Sequence, residues 1–249
     1  MKDINELNMS NKKYIIFDLD GTLINSIGIW NKADQILISK YSKSNPDVDT
    51  IQKERDDVIR NNANEDIYLE YCRYILKKYN LDCKDEYEIL NERRKISNLM
   101  LEREVDFKPN AVKLISKLKK RGFTLVLATV TTRHQLNTYC NNNKNIYEKL
   151  NFNEVFDLIV SKEDVRCKKP NPEIYEKILS HYKTTPDKCL VFEDSYTGVL
   201  AAKNAKIEVI NIFDQYSEHE RENINKITDY FIKDYKEIID YLEKGEKHE

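Results

Sequence analysis

Tyr14-Ile15-Ile16-Phe17-Asp18-Leu19-Asp20-Gly21-Thr22 decides the fold. Four consecutive apolar residues show no polar alternation, so they read as a strand buried on both faces, the pattern of a parallel sheet. The strand stops at a carboxylate, and Gly21 permits a tight turn just beyond it. Downstream the same grammar recurs. Phe123–Ala128, Asp157–Val160, Cys189–Phe192 and Glu208–Ile212 read as further buried strands, making five in all. Helical periodicity separates them. Asn110 is placed to cap a helix through Ala111 and Leu118, which Gly122 stops. Another helix falls near Arg133–Cys140. Pro172 opens one over Glu173–His181, and a last one covers Val199–Lys203.

Strands alternating with helices predict an α/β fold: a Rossmann-like parallel sheet core covered on both faces. One stretch breaks the alternation. From residue 27 to residue 104 only helical patterns occur, as in Ile67, Tyr68, Tyr71, Cys72, Ile75 and Leu76 at i, i+3, i+4 spacing. The expected organisation is a discontinuous core, residues 1–26 and 105–249, with an all-helical domain inserted at residues 27–104. Met1–Asn11 and Lys244–Glu249 read as tails.

Composition narrows the function classes. The chain has 249 residues, with 41 Lys and Arg against 43 Asp and Glu, a net charge of -2. That balance gives no support to nucleic-acid binding. With no run of about 18 apolar residues, no membrane span is expected. Met1–Ser10 lacks an apolar stretch for export, so a cytoplasmic location is expected and the five cysteines read as reduced thiols. The four histidines are scattered without metal-ligand spacing. A monomer is expected.

Ligands of parallel α/β sheets collect at the carboxyl ends of the strands. Those ends carry Asp18-Leu19-Asp20-Gly21-Thr22, then Thr129-Val130-Thr131-Thr132, then Lys168-Lys169-Pro170, then Glu193-Asp194-Ser195. This set suits magnesium-assisted phosphoryl transfer. A carboxylate attacks an anionic phosphate ester only when the charge between them is neutralised. Mg²⁺ takes oxygen ligands and needs one or two carboxylates, which Asp18 and Asp194 can supply. Lys169 can neutralise phosphate oxygens as a point charge. Thr129 can donate its hydroxyl to phosphate, and Gly21 can expose backbone amides to the anion. Asp20 can serve as general acid and base. Thr131 and Thr132 read as caps of the following helix, and Trp30 reads as core of the helical insertion.

Phe17-Asp18-Leu19-Asp20-Gly21-Thr22-Leu23 resembles the first motif of the haloacid dehalogenase-like hydrolase superfamily. Thr129 in Leu127-Ala128-Thr129 is similar to its second, Lys169 in Lys168-Lys169-Pro170-Asn171-Pro172 to its third, and Glu193-Asp194-Ser195, followed by Gly198, to its fourth. The resemblance spans about Lys13 to Ile212. It implies that the helical insertion is a cap domain. It also implies that Asp18 is a nucleophile forming an aspartyl-phosphate, that Asp20 is the acid and base, and that Thr129 and Lys169 hold the phosphoryl group. Mg²⁺ would be bound by Asp18, Asp194 and the Asp20 carbonyl, with Glu193 as a ligand or just behind. Asp20 two residues past the nucleophile favours phosphoester chemistry. Relatives of the beta-phosphoglucomutase branch carry a histidine twelve residues past the nucleophile, where this chain has Trp30. A phosphatase for a small phosphorylated metabolite, such as a sugar phosphate, is therefore expected. The alternatives are a mutase-like phosphotransferase and a phosphate-binding protein without turnover.

Overall fold

The computed structural model describes residues 2–61 and 67–245. In chain order the elements are β1 (Tyr14–Phe17), α1 (Ile27–Tyr41), α2 (Val48–Asn61), α3 (Ile67–Tyr79), α4 (Glu86–Arg103), α5 (Ala111–Lys120), β2 (Thr124–Ala128), α6 (Arg133–Asn141), α7 (Lys144–Tyr147), α8 (Phe152–Val155), β3 (Leu158–Val160), α9 (Glu173–Tyr182), β4 (Cys189–Glu193), α10 (Tyr196–Asn204), β5 (Glu208–Ile212), α11 (Arg221–Ile227), β6 (Tyr230–Ile232) and α12 (Lys236–Gly245).

The six strands form one sheet in the order β3-β2-β1-β4-β5-β6, and every pairing is parallel. Ile15, Ile16 and Phe17 are fully buried, each contributing about 1.5–3 kcal/mol through lost apolar hydration. The order has a direct consequence for function. From β1 the chain runs to β2 and β3 on one side, then returns to place β4 on the other. β1 and β4 thus flank the switch point where the connections diverge, the usual ligand crevice of such sheets. Asp18 follows β1 and Asp194 follows β4, so the topology brings together two carboxylates that stand 176 positions apart in the sequence. The backbone joins the two strand ends too, Asp18 N–H donating to the Phe192 carbonyl at 3.0 Å.

The chain divides into two compact units, residues 1–25 with 106–249, and residues 26–105. The second holds α1 to α4 and has its own core, including Leu37, Ile38, Tyr71, Cys72, Ile75 and Ile89. In that unit the Arg93 guanidinium lies 5.5 Å from the centre of the half-buried Trp30 ring. In the first unit, the two crossing points are tied by Asn25, whose N–H donates to the Asp106 carbonyl at 3.0 Å. Its side-chain oxygen accepts the Asp106 N–H at 2.8 Å.

Three local expectations are corrected. A sixth strand, β6, extends the sheet beyond β5; its Tyr230-Phe231-Ile232 run is enclosed by the charged residues Asp229 and Lys233, and no strand-end motif follows it. Met1–Asn11 is no free tail as far as it is described. Leu7 is buried, and the Lys2 N–H donates to the Asp229 carbonyl at 2.8 Å. A lone leucine in a polar run carries no periodic signal. Of the other expected tail, α12 reaches Gly245, and residues 246–249 lie outside those described. Finally, Asn110 precedes α5 but makes no side-chain cap. Its φ is 62°, and its amide donates instead to Asp234 at 2.8 Å.

Candidate active site

Asp18, Glu193 and Asp194 are buried together at the carboxyl ends of β1 and β4, each offering an oxygen within 4.8 Å of the others. Lys169 projects into this group from the loop between β3 and α9. Its Nζ donates to Asp18 Oδ1 at 2.7 Å, Glu193 Oε1 at 2.8 Å and the Ala128 carbonyl at 3.0 Å. Burial disfavours the ammonium charge, but Asp18 and Glu193 together keep the Lys169 pKa well above the ordinary lysine value. Burial pushes Asp18 up to about 7, against the opposing pull of Lys169 and with further push from Glu193 and Asp20. Asp194 is likewise raised, first by burial and then by Glu193 and Asp18.

Three buried carboxylates face one lysine, so the cluster is short of positive charge. A hard divalent cation fits this donor set, because all the offered atoms are carboxylate oxygens.

Each group is held from behind. Asp194 accepts the Thr22 hydroxyl on Oδ1 at 2.7 Å and the Ser217 hydroxyl on Oδ2 at 3.2 Å. The Asn211 amide bridges the carbonyls of Glu193 and Asp194, at 3.0 Å each. Glu193 Oε2 accepts the Ser195 N–H at 3.0 Å and its hydroxyl at 3.1 Å. Ser195 also caps α10 by accepting the Gly198 N–H at 3.1 Å. Gly198 is required there by space: a Cβ would come within 1.6 Å of Glu193 Oε1.

The other expected residues are placed as follows. Thr129 is buried just past β2, its hydroxyl accepting the Thr131 N–H at 3.0 Å. Gly21 lies in the loop as expected, but its amide donates to the Ile24 carbonyl at 2.9 Å and is not offered to an anion. What the position demands is its φ of +82° and the close approach of Asp194, whose Oδ2 lies 2.4 Å from where a Cβ would sit. Thr132 caps α6, in a reciprocal arrangement with Gln135. Thr131 does not cap: its hydroxyl donates to Asp20 Oδ2. A second donor, the Tyr139 hydroxyl, reaches Asp20 Oδ1 at 3.1 Å. Arg133 pairs with Asp164 at 2.7 Å on the surface, while Lys168 and Cys167 are exposed.

Sequence reasoning missed Thr22, Tyr139, Asn211 and Ser217 as members of this site. Thr22 stood inside a quoted motif, but the others are single polar residues on elements with no motif of their own.

Residues 15–212 match the model of the haloacid dehalogenase-like hydrolase family. The chain belongs to that family. It is 29% identical over 203 residues to a bifunctional riboflavin kinase/FMN phosphatase of Arabidopsis thaliana, covering 80% of this chain but only 48% of that protein. It is 28% identical over 202 residues to a phosphorylated carbohydrates phosphatase of Thermotoga maritima, covering 79% of this chain and 82% of that protein. Among solved structures, CbbY of Rhodobacter sphaeroides in complex with phosphate superposes with a TM-score of 0.67 at 22% identity, over 90% of this chain and 95% of that one. At that identity the likeness concerns the fold.

Proposed function

We propose that this chain is a Mg²⁺-dependent phosphatase that hydrolyses a small phosphorylated metabolite, a sugar phosphate by preference, through an aspartyl-phosphate. The observation that carries the reading is the buried meeting of Asp18, Lys169, Glu193 and Asp194, with Asp20 held beside it. Family membership and the phosphatase names of the relatives support it.

Asp18 is the nucleophile, and Lys169, 2.7 Å away, favours its ionised form while facing the phosphoryl oxygens. Thr129 offers its hydroxyl to the same oxygens. Asp18, Asp194 and the Asp20 carbonyl would hold the cation. Glu193, whose oxygens are engaged by Lys169 and Ser195, fixes the lysine from behind. The cation supplies positive charge against the phosphoryl oxygens and so lowers the repulsion that Asp18 meets. In the first half-reaction Asp18 bonds to phosphorus, the ester P–O bond breaks, and the leaving oxygen takes a proton from Asp20. In the second, water bonds to phosphorus and gives a proton to Asp20. The bond to Asp18 then breaks and inorganic phosphate departs. The helical unit, residues 26–105, is proposed as the cap domain.

The test is phosphate release over a panel of phosphorylated metabolites with Mg²⁺, followed by phosphorus NMR on beta-glucose 1-phosphate with a trace of the bisphosphate. Free phosphate is the expected product. Conversion to glucose 6-phosphate with little free phosphate would establish the mutase reading instead.

A further inference from the structure

Both oxygens of Asp20, the carboxylate to which the proposed cycle gives the proton transfers, accept hydroxyl donors. Thr131 donates to Oδ2, and Tyr139 donates to Oδ1 at 3.1 Å. The donors come from separately anchored places. Thr131 is fixed by its N–H on Thr129 and by its carbonyl, which accepts the Lys162 N–H at 3.2 Å. Tyr139 lies on α6, is 1% exposed, and reaches Asp20 across 119 residues of sequence. Burying a tyrosine whose hydroxyl ends on a carboxylate is not required by packing, since phenylalanine fills the same volume without a polar group to satisfy.

A hydroxyl has a further property that an amide or ammonium lacks: it can donate or accept by rotating its hydrogen. The two hydroxyls can therefore grip Asp20 both as a carboxylate and as a carboxylic acid, the two forms it alternates between in the proposed cycle. We propose that Tyr139 and Thr131 are positioning residues that hold the Asp20 carboxyl in line with the reacting oxygen through both half-reactions. This rests on the phosphatase reading. Neither residue touches the phosphoryl group in this role; each acts through Asp20.

The role has a kinetic signature. With p-nitrophenyl phosphate the leaving phenolate needs little help from a proton, so bonding of Asp18 to phosphorus should tolerate a loosened Asp20. Attack by water still needs Asp20 to take its proton. Misplacing a catalytic group by about 1 Å costs roughly a hundredfold. In Tyr139→Phe, breakdown of the aspartyl-phosphate is therefore expected to slow about 10- to 100-fold, while its formation from p-nitrophenyl phosphate changes less than about threefold. Stopped-flow absorbance would show a burst of p-nitrophenolate approaching one equivalent, and acid quenching would trap the phosphorylated chain. KM should fall with kcat. With an alkyl phosphate both half-reactions should slow. Thr131→Val should behave like Tyr139→Phe, and Thr131→Ser, which keeps the hydroxyl, should restore turnover.

Melting temperatures and circular dichroism keep folding separate from the kinetic readout. Equal slowing of both half-reactions with p-nitrophenyl phosphate would overturn the inference, as would a failure of Thr131→Ser to recover. If Tyr139→Phe turns over like the wild type, the inference falls while the phosphatase reading stands. If the wild type forms no aspartyl-phosphate, both fall.

Discussion

A carboxylate attacks phosphorus only as an anion, yet Asp18 is 6% exposed and burial pushes its pKa up to about 7. What keeps it usable is the lysine at 2.7 Å. This pairing ties Asp18 and Lys169 together, so replacing the carboxylate by its uncharged isostere removes the nucleophile and the charge on one of the lysine's three acceptors at once. Asp18→Asn is expected to lower kcat by at least roughly a thousandfold, about 4 kcal/mol of transition-state stabilisation, with the fold retained by circular dichroism. Near-wild-type release of phosphate from a purified Asp18→Asn preparation would remove Asp18 from its role. At this scale the sequence disclosed the residues whose chemistry is announced by neighbours in the chain. Asp18, Asp20, Lys169, Glu193 and Asp194 sit in strings that end strands, and strand ends are where ligands gather. Tyr139 and Ser217 were illegible because their partners, Asp20 and Asp194, are 119 and 23 residues away, and each lies outside any such string. Gly21 was legible as a turn, but not that its own N–H is spent on the Ile24 carbonyl, which only the folded loop reveals.

Among the elements, the helical unit carries the least obvious feature. Asp34 on α1 is fully buried and pairs with Arg93 on α4 at 2.5 Å and with Arg55 on α2 at 3.3 Å. Arg93 also lies against the rings of Trp30, Tyr68 and Tyr71. One carboxylate thus joins three elements, with the aromatic rings of α1 and α3 closing around the guanidinium. The periodicity of apolar residues made α1 to α4 legible as helices. It did not reveal which charges face inward, because Asp34 and Arg93 stand 59 residues apart and each looks like an ordinary surface charge in its own helix. Removing the shared carboxylate strands two buried guanidinia, a loss of about 3–5 kcal/mol for a broken buried pair. Asp34→Ala should therefore shift the urea midpoint of helix loss well below that of the wild type. An unchanged midpoint would mean that solvent compensates Arg55 and Arg93 without Asp34. The core tells the opposite story: five strands were readable because burial leaves short runs that are largely apolar and without helical spacing, whereas β6 is a Tyr-Phe-Ile run set between charged residues with no strand-end motif after it.

For the molecule as a whole, the site sets a cost that stability should report. Asp18 has an ordinary value of 3.8 when unfolded and is pushed up to about 7 in the folded chain, and Asp194 is raised as well. Between those values the folded state binds protons that the unfolded state has released. Stability rises with pH only where the unfolded state binds more protons, so here the sign is reversed. The contribution is fully present below about pH 4 and is lost as pH rises through about 7. Carboxylates with lowered pKa values, such as Asp157 and Asp164, act in the opposite sense, but they are ionised throughout the upper part of this window. In EDTA, the chain should then melt at a lower temperature at pH 8 than at pH 6. Asp18→Asn, which cannot acquire the charge, should lose much less over the same interval and be the more stable of the two at pH 8. Added Mg²⁺ should raise the wild-type melting temperature more at pH 8 than at pH 6, because a cation binds the ionised cluster and stabilises the state it binds. It should raise that of Asp18→Asn less at either pH. The decisive comparison is the wild-type minus Asp18→Asn difference measured by calorimetry at both pH values. A difference that stays constant with pH and is indifferent to Mg²⁺ would mean that the buried cluster neither stores this charge repulsion nor takes a cation to relieve it.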